Sequence, residues 1–282
     1  MKIKELLACA VDFLGKRDGA LLESELLLAH VLGVEREYLI SNAEEDVEMA
    51  LVDLFYKYVE MIRRGAPIAY ITNEKEFFGL NFFVDKRVLV PRPETEMIVE
   101  KVLEYFRSHD NGRVFRILDV GTGSGAISVA LAKNFDKQEL IALDISPEAL
   151  EVARINVDQH GVEDKIQLVE SDLLEAIDDE ENFEVIVANL PYIGVDTNSF
   201  VEAKVSDHEP QSALFAGSDG LDLYKKMFQQ ISGKKIVFKL LVGEFGFGQE
   251  SDVMMLLSKY FDQNWTIEKD LAGIPRIFIV KG

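Results

Sequence analysis

The sequence predicts an α/β fold in which an open, mostly parallel sheet of seven strands follows a small helical bundle, the two joined by a β-hairpin connector. Three observations carry this. From Arg116 onward, strand-like apolar runs alternate with helical patterns, as in a parallel sheet covered by helices on both faces. The first of those runs, Ile117-Leu118-Asp119-Val120, leads into the glycine-rich turn Gly121-Thr122-Gly123-Ser124-Gly125. Residues 1–67 instead carry their apolar side chains at helical spacing.

In the bundle, Ile3, Leu6, Leu7, Ala10, Val11 and Leu14 form one apolar stripe. A second helix spans about Leu21–Leu32, with Leu22, Leu26, Ala29 and Leu32 inward and Gly33 stopping it. A third places Val47, Ala50, Leu51, Leu54, Tyr58, Met61 and Ile62 inward. It ends at Arg63-Arg64-Gly65, with Pro67 beyond. Nothing in residues 1–67 is catalytic, so the bundle reads as a docking surface. Residues 68–90 form the connector: Ile68-Ala69-Tyr70-Ile71 and Glu76–Val84 read as short strands, with a turn near Gly79-Leu80-Asn81. Residues 91–282 form the α/β domain. Pro91 and Pro93 fix an extended entry, and Pro93 opens a helix to about Arg107. After the glycine turn come a helix over Ala126–Lys133, the strand Leu140–Asp144, and a helix opened by Ser146-Pro147 and running to His160. Further strands fit Ile166–Val169, Phe183–Ala188, Ile236–Phe238, Thr266–Glu268 and Ile277–Val280.

Composition narrows the function. Of 282 residues, 48% are apolar, enough for a substantial core. Thirty basic against 50 acidic residues leave a net charge of −20. That surface repels phosphate and disfavours broad capture of nucleic acid or an acidic membrane. A single cysteine, Cys9, excludes an intrachain disulfide. His30, His109, His160 and His208 show no ligand spacing, so no metal is expected. Asp12 interrupts the N-terminal apolar run too early for a signal peptide, and no run is long enough to span a bilayer. A cytoplasmic protein, monomeric and without a membrane partner, is expected.

The glycine turn lets the backbone approach a ligand, and Asp144, ending the next strand, can accept from both hydroxyls of a ribose. Gly121, Gly123 and Ala126 also satisfy the dinucleotide fingerprint, which leaves a nicotinamide dehydrogenase open. Three features favour S-adenosylmethionine. Asp119 precedes the glycines, where a cationic methionine amine is welcome and a pyrophosphate is repelled, although it could equally order the glycine loop. Asp172 follows the third strand, placed to accept from an adenine amino group, with Leu173 over the ring. Asn189-Leu190-Pro191-Tyr192 follows the fourth strand, where a methyl acceptor belongs. There Asn189 offers an amide oxygen, Pro191 stiffens the turn, and Tyr192 supplies a flat ring. Taken alone, the tetrapeptide is equally a turn leaving a strand.

Glu76-Phe77-Phe78-Gly79-Leu80 and Val90-Pro91-Arg92-Pro93-Glu94-Thr95-Glu96 resemble the HemK/PrmC protein-glutamine N5-methyltransferases. So do Glu209-Pro210, Asp219-Gly220-Leu221, Tyr224, Glu244, Gly246, Gln249, Asp270, Gly273 and Arg276, and the resemblance covers essentially the whole chain. It implies a class I S-adenosylmethionine-dependent methyltransferase fold, Rossmann-like, with a helical N-terminal domain that recognises a protein substrate. It also implies the reaction: a methyl group passes from S-adenosyl-L-methionine to the side-chain amide of the glutamine in the Gly-Gly-Gln motif of class-1 peptide chain release factors. S-adenosyl-L-homocysteine is the other product. In that family mode, the Asn189 side-chain oxygen and the Leu190 carbonyl hold the substrate NH2. The family usually has proline where Leu190 stands; leucine keeps the carbonyl but gives up the fixed φ, so a less rigid socket is expected. Asn-Leu-Pro-Tyr also resembles ribosomal RNA adenine dimethyltransferases, which keeps a nucleic-acid amine methyltransferase as the alternative. A cofactor-binding scaffold with a decayed site is a third possibility. Arg92 and Glu94 are expected to order a cofactor lid or to form structural salt bridges.

Overall fold

The computed structural model describes residues 1–15, 17–194 and 208–282. Its described residues group into two compact units, one made chiefly of Met1–Asn73, the other beginning at Glu74.

The first unit holds α1 (Ile3–Leu14), α2 (Ala20–Leu32), α3 (Arg36–Ser41), α4 (Met49–Arg63) and α5 (Ile68–Thr72). α1 buries Ile3, Leu6, Ala10 and Leu14, as its stripe predicts. α2 keeps only part of the expected face: Ala29 is inward as expected and Leu32 half-buried, but Ala20, Ser24, Leu27 and Leu28 complete the buried side while Leu22 and Leu26 are exposed. Leucines stand on both sides of this helix, so periodicity does not choose between them. The buried face contains a serine whose hydroxyl donates to the Ala20 carbonyl at 2.7 Å, which lets it lie in an apolar interior. In α4 the buried stripe is Val52, Phe55, Val59 and Ile62; of the expected inward set only Ile62 is fully buried. Residues Ile68–Ile71, expected as a strand, are helical. α5 starts after Pro67 and stops at Asn73 in the left-handed conformation, closing the helical unit instead of opening the hairpin.

The hairpin itself is β1 (Glu74–Phe77) and β2 (Leu80–Phe83), antiparallel about Phe78-Gly79. Both turn residues have positive φ, 52° and 71°, the twist a two-residue hairpin loop favours. The Phe78 amide donates to Glu96 at 2.9 Å, helping to hold a conformation a phenylalanine rarely adopts. Val88–Val90 is a buried-edged loop and not a strand. It leads to a single 3₁₀ turn at Pro93–Thr95 and then α6 (Glu96–His109).

The second unit continues with β3 (Phe115–Val120), α7 (Ala126–Asn134), β4 (Gln138–Asp144), α8 (Pro147–His160), β5 (Ile166–Glu170) and β6 (Asn182–Ala188). It closes with α9 (Asp222–Lys234), β7 (Val237–Glu244), α10 (Glu250–Phe261), β8 (Trp265–Lys269) and β9 (Pro275–Lys281). All seven expected strands join one sheet, in the order β5-β4-β3-β6-β7-β9-β8. β9 alone runs antiparallel to both its neighbours. The order reverses between β3 and β6, and the crevice beyond the carboxyl ends of strands at such a point is where open α/β sheets bind ligands. Register then matters: Val120 pairs with Leu143 and with Ala188, and Ala188 with Gly243. The next residues along, Asp144, Gly121, Asn189 and Glu244, therefore end four adjacent strands side by side. Among the described residues, no helix is long and apolar enough to cross a membrane.

Candidate active site

A cavity of about 390 Å³, within the usual size of a small-molecule site, opens beyond these strand ends. Of the candidate cofactor and acceptor residues (Asp119, the turn 121–125, Asp144, Asp172, Leu173 and the turn 189–192), all line it except Asp119, Gly125 and Tyr192. The hairpin and the proline segment contribute Phe77, Pro91, Arg92 and Thr95 to its wall.

The glycine turn is pinned to β4: the amides of Gly121 and Thr122 both donate to the Leu143 carbonyl at 2.8 Å. Gly121 has φ +77°, and a Cβ there would lie 2.9 Å from Leu190 Cδ2. Glycine is thus required both by conformation and by the leucine opposite. Asp144 sits across the turn with its carboxylate plane fixed, one oxygen accepting from the Gly123 amide at 2.8 Å and the other from the Ser146 amide at 2.9 Å. Burial raises its pKa while these amides oppose the rise. Each oxygen keeps a lone pair for a ligand hydroxyl.

Asp119 lies under the loop, fully buried. One of its oxygens accepts from Thr122 Oγ1 at 2.8 Å and from Ser128 Oγ at 2.6 Å, tying β3, the turn and α7 together. Burial pushes its pKa up to about 6 in spite of the two hydroxyls, and the nearby Asp144 charge adds to the rise. The bonded oxygen orders the loop, as one of the two readings expects; the other, Oδ1, is buried with no hydrogen-bond partner among the described residues. Asp172 does reach the cavity, with one oxygen held by Lys226 Nζ at 2.5 Å. Leu173 beside it is buried, with φ +53°, and its carbonyl accepts from Ser171 Oγ at 2.8 Å.

Asn189 donates its side-chain NH2 to Thr95 Oγ1 at 3.0 Å. Among the described residues no donor reaches its Oδ1 or the Leu190 carbonyl. The Leu190 side chain is 2% exposed and belongs to the main core. The socket is therefore held by packing where proline's ring is missing. Tyr192 differs from expectation: its ring stands against Gly246 and its hydroxyl donates to Glu244 Oε1 at 3.3 Å, so it does not present a face to the cavity. Burial, with the Glu244 charge second, drives its phenol pKa far up.

Sequence reasoning did not assign roles to several residues that frame this socket. Glu244 is 2% exposed, and burial pushes its carboxyl up to about 7. The expected strand stops at Phe238; beyond the single lysine at 239, the apolar residues Leu240, Leu241 and Val242 were the signal that it continues to Glu244. Gln249 donates to the carbonyls of Tyr192 and Asp219 at 2.7 and 2.9 Å and accepts from the Gly246 amide, locking the turn after Pro191. The buried Tyr224 hydroxyl lies between the carbonyls of Ala188 and Glu244, at 3.0 and 2.6 Å. Arg92 donates to both oxygens of the buried Glu209 at 2.7 and 2.9 Å, a structural ion pair. Burial raises the Glu209 pKa and the guanidinium opposes it.

A dinucleotide-binding sheet ends in six parallel strands ordered 3-2-1-4-5-6; here an antiparallel strand is inserted before the last. That topology, with a ribose-ready carboxylate ending the second strand and, after the fourth, an amide oxygen unpaired among the described residues, defines a class I S-adenosylmethionine-dependent methyltransferase. The comparisons with known proteins narrow it. Residues 98–205 match the methyltransferase small domain and residues 5–72 the PrmC N-terminal domain. The chain is 37% identical to the release factor glutamine methyltransferase of Clostridium acetobutylicum, over 99% of this chain and 98% of that one. It is 34% identical to that of Bacillus cereus, over 93% and 92%. The hMettl16 catalytic domain, solved with a MAT2A 3'UTR hairpin, shares the fold at 16% identity and a TM-score of 0.58, over 76% of this chain and 80% of that one. The chain belongs to the release factor glutamine methyltransferase family.

Proposed function

We propose that this protein methylates the side-chain amide nitrogen (N5) of the glutamine in the Gly-Gly-Gln motif of class-1 peptide chain release factors, in the cytoplasm and as a monomer. The observation that carries the reading is a pair of acceptors, Asn189 Oδ1 and the Leu190 carbonyl, that no donor among the described residues engages, beside a nucleoside-sized cavity. Family membership supports the substrate, and the helical unit matching the PrmC N-terminal domain is the part we assign to substrate recognition. Neither nucleic acid nor membrane is needed in this scheme, and the net charge of −20 disfavours both.

Bound S-adenosylmethionine supplies an electrophilic methyl group on a sulfonium. Asp144 is suited to the ribose hydroxyls, Asp172 to the adenine amino group and Leu173 to the ring face. Gly121, Thr122, Gly123, Ser124 and Gly125 supply the close backbone approach. A carboxamide nitrogen is a weak nucleophile because its lone pair is shared with the carbonyl. Asn189 and Leu190 counter this by each accepting a hydrogen bond from the NH2 and so aiming the nitrogen. Their hydrogen bonds strengthen as positive charge builds on nitrogen, so they favour the transition state over the ground state. Pro191 shapes the turn that presents both acceptors. Tyr192 contributes through its bond to Glu244 and not by stacking on the substrate.

The test is mass spectrometry of an unmethylated release factor after incubation with the protein and cofactor. A gain of one methyl group on the Gly-Gly-Gln glutamine is expected. Transfer to ribosomal RNA or DNA in parallel reactions, with none to the release factor, would overturn the reading.

A further inference from the structure

Asn189 works in the scheme above only if its amide presents oxygen to the substrate and not NH2. The two ends of a carboxamide have nearly the same shape, so packing cannot choose between them. Hydrogen bonding can. The Asn189 NH2 donates to Thr95 Oγ1 at 3.0 Å, and Thr95 Oγ1 donates to Glu244 Oε2 at 2.6 Å. A hydroxyl has one proton. Committed to Glu244, it leaves Thr95 able only to accept, and an acceptor there rejects the flipped amide, whose oxygen would meet another oxygen.

The relay is built into rigid parts of the fold. Thr95 closes the 3₁₀ turn before α6 and is 4% exposed; Glu244 ends β7, one residue beyond the Gly243–Ala188 pair. We propose that Thr95 and Glu244 are positioning residues for methyl transfer, a hydrogen-bond relay that holds the Asn189 amide oxygen toward the acceptor nitrogen. The proposal rests on reading Asn189 as the residue that binds the acceptor NH2.

The relay requires Glu244 as a carboxylate. Around it stand the Tyr192 phenol at 3.3 Å, the Arg276 charge from β9 and the Glu94 charge from the 3₁₀ turn, while the Tyr224 hydroxyl bonds its backbone carbonyl. Burial outweighs Arg276 and the hydroxyl donors, raising the Glu244 pKa to about 7. Once protonated, Glu244 becomes a donor to Thr95. The threonine proton is then released toward Asn189 and favours the inverted amide.

The experiment compares wild type, T95V, T95S and E244Q for release factor methylation across pH 5.5 to 9, with cofactor affinity measured by calorimetry. The expected result is a T95V turnover about 10- to 100-fold below wild type, with cofactor Kd and release factor KM within about twofold. T95S recovers most of the loss. Wild-type turnover has an acid limb near pH 7 that E244Q lacks. Equal loss in T95V and T95S, or an acid limb unchanged in E244Q, overturns the relay. Absence of methylation by wild type would instead sink the proposed function. The relay is then still read from the Asn189 side-chain amide resonances, which should shift with pH near 7 in wild type and not in T95V. Identical titrations in the two proteins would refute it.

Discussion

Replacing Gly121 with alanine tests how the cofactor turn and the acceptor turn are packed against each other. The added Cβ meets two obstacles. At φ +77° a non-glycine residue costs roughly 1–2 kcal/mol. In addition, the methyl would stand 2.9 Å from Leu190 Cδ2, and that leucine is 2% exposed and packed within the core, so yielding to the methyl means giving up core contacts. Overpacking of this sort costs about 1–3 kcal/mol. Together G121A should lose about 2–5 kcal/mol of stability in the α/β unit. L190A alone should lose about 2–5 kcal/mol by leaving a cavity. The double variant removes the clash, so its loss should fall short of the sum by roughly 1–3 kcal/mol, while the backbone cost remains. The single tryptophan, Trp265, lies on β8 and reports this unit alone, so urea unfolding followed by its fluorescence gives all three numbers. Additivity within about 0.5 kcal/mol would refute direct packing of Leu190 on Gly121.

Three further outcomes are expected. N189A should lose on the order of 10²–10³ in turnover with cofactor Kd largely unchanged, measured by single-turnover methylation and calorimetry; near-normal turnover would remove Asn189 from the mechanism. D144A should weaken cofactor binding at least about tenfold, since a hydrogen bond to a charged group contributes about 1.5–3 kcal/mol, and unchanged affinity would reassign the ribose site. The third concerns pH. The folded Glu244 carboxyl titrates near 7 against an ordinary 4.5, so its contribution to stability is full below about 4.5 and is lost as pH rises through about 7. E244Q does not titrate. Its stability relative to wild type should therefore improve between pH 5 and pH 8, by up to about 3 kcal/mol. The reverse trend in urea melts at the two pH values would contradict a buried, proton-retaining Glu244.

The sheet was legible because each buried strand is a short β-branched run bounded by turn residues, and because strand ends in a parallel sheet collect ligands wherever the order reverses. Asp144 and Asn189 followed from that alone. The face of α2 was not legible, because leucines on both sides make its pattern ambiguous and the deciding residue, Ser24, hides its polarity in a backbone bond. α5 was misread for a related reason: Ile68–Ile71 is too short for periodicity to distinguish helix from strand. Asp119, Tyr192 and Thr95 expose a different limit. Sequence position put Asp119 and Tyr192 next to the cavity, but the direction of a side chain depends on partners on other elements, Ser128 on α7 for the first and Glu244 on β7 for the second. Thr95 and Asn189 are 94 residues apart, and only the folded register brings them within a hydrogen bond.

The leucine at position 190 shows how such a site tolerates change. In the proposed mechanism the acceptor at this position is a main-chain carbonyl, and no side chain can remove it. What the side chain can alter is how firmly that carbonyl is held. Proline would hold it through a fixed φ. Leu190 does so by filling the space over Gly121 and joining the core, while Gln249 clamps the Tyr192 carbonyl two residues on and Pro191 keeps the intervening turn stiff. The restraint has moved from covalent geometry to packing, and it now depends on glycine at 121. A proline introduced at 190 should therefore make the G121A substitution cheaper, because the δ-methyl that collides with the new Cβ would be gone. If G121A is equally damaging in the L190P background, the strain lies in the φ of residue 121 alone, and Leu190 is a bystander to the cofactor turn.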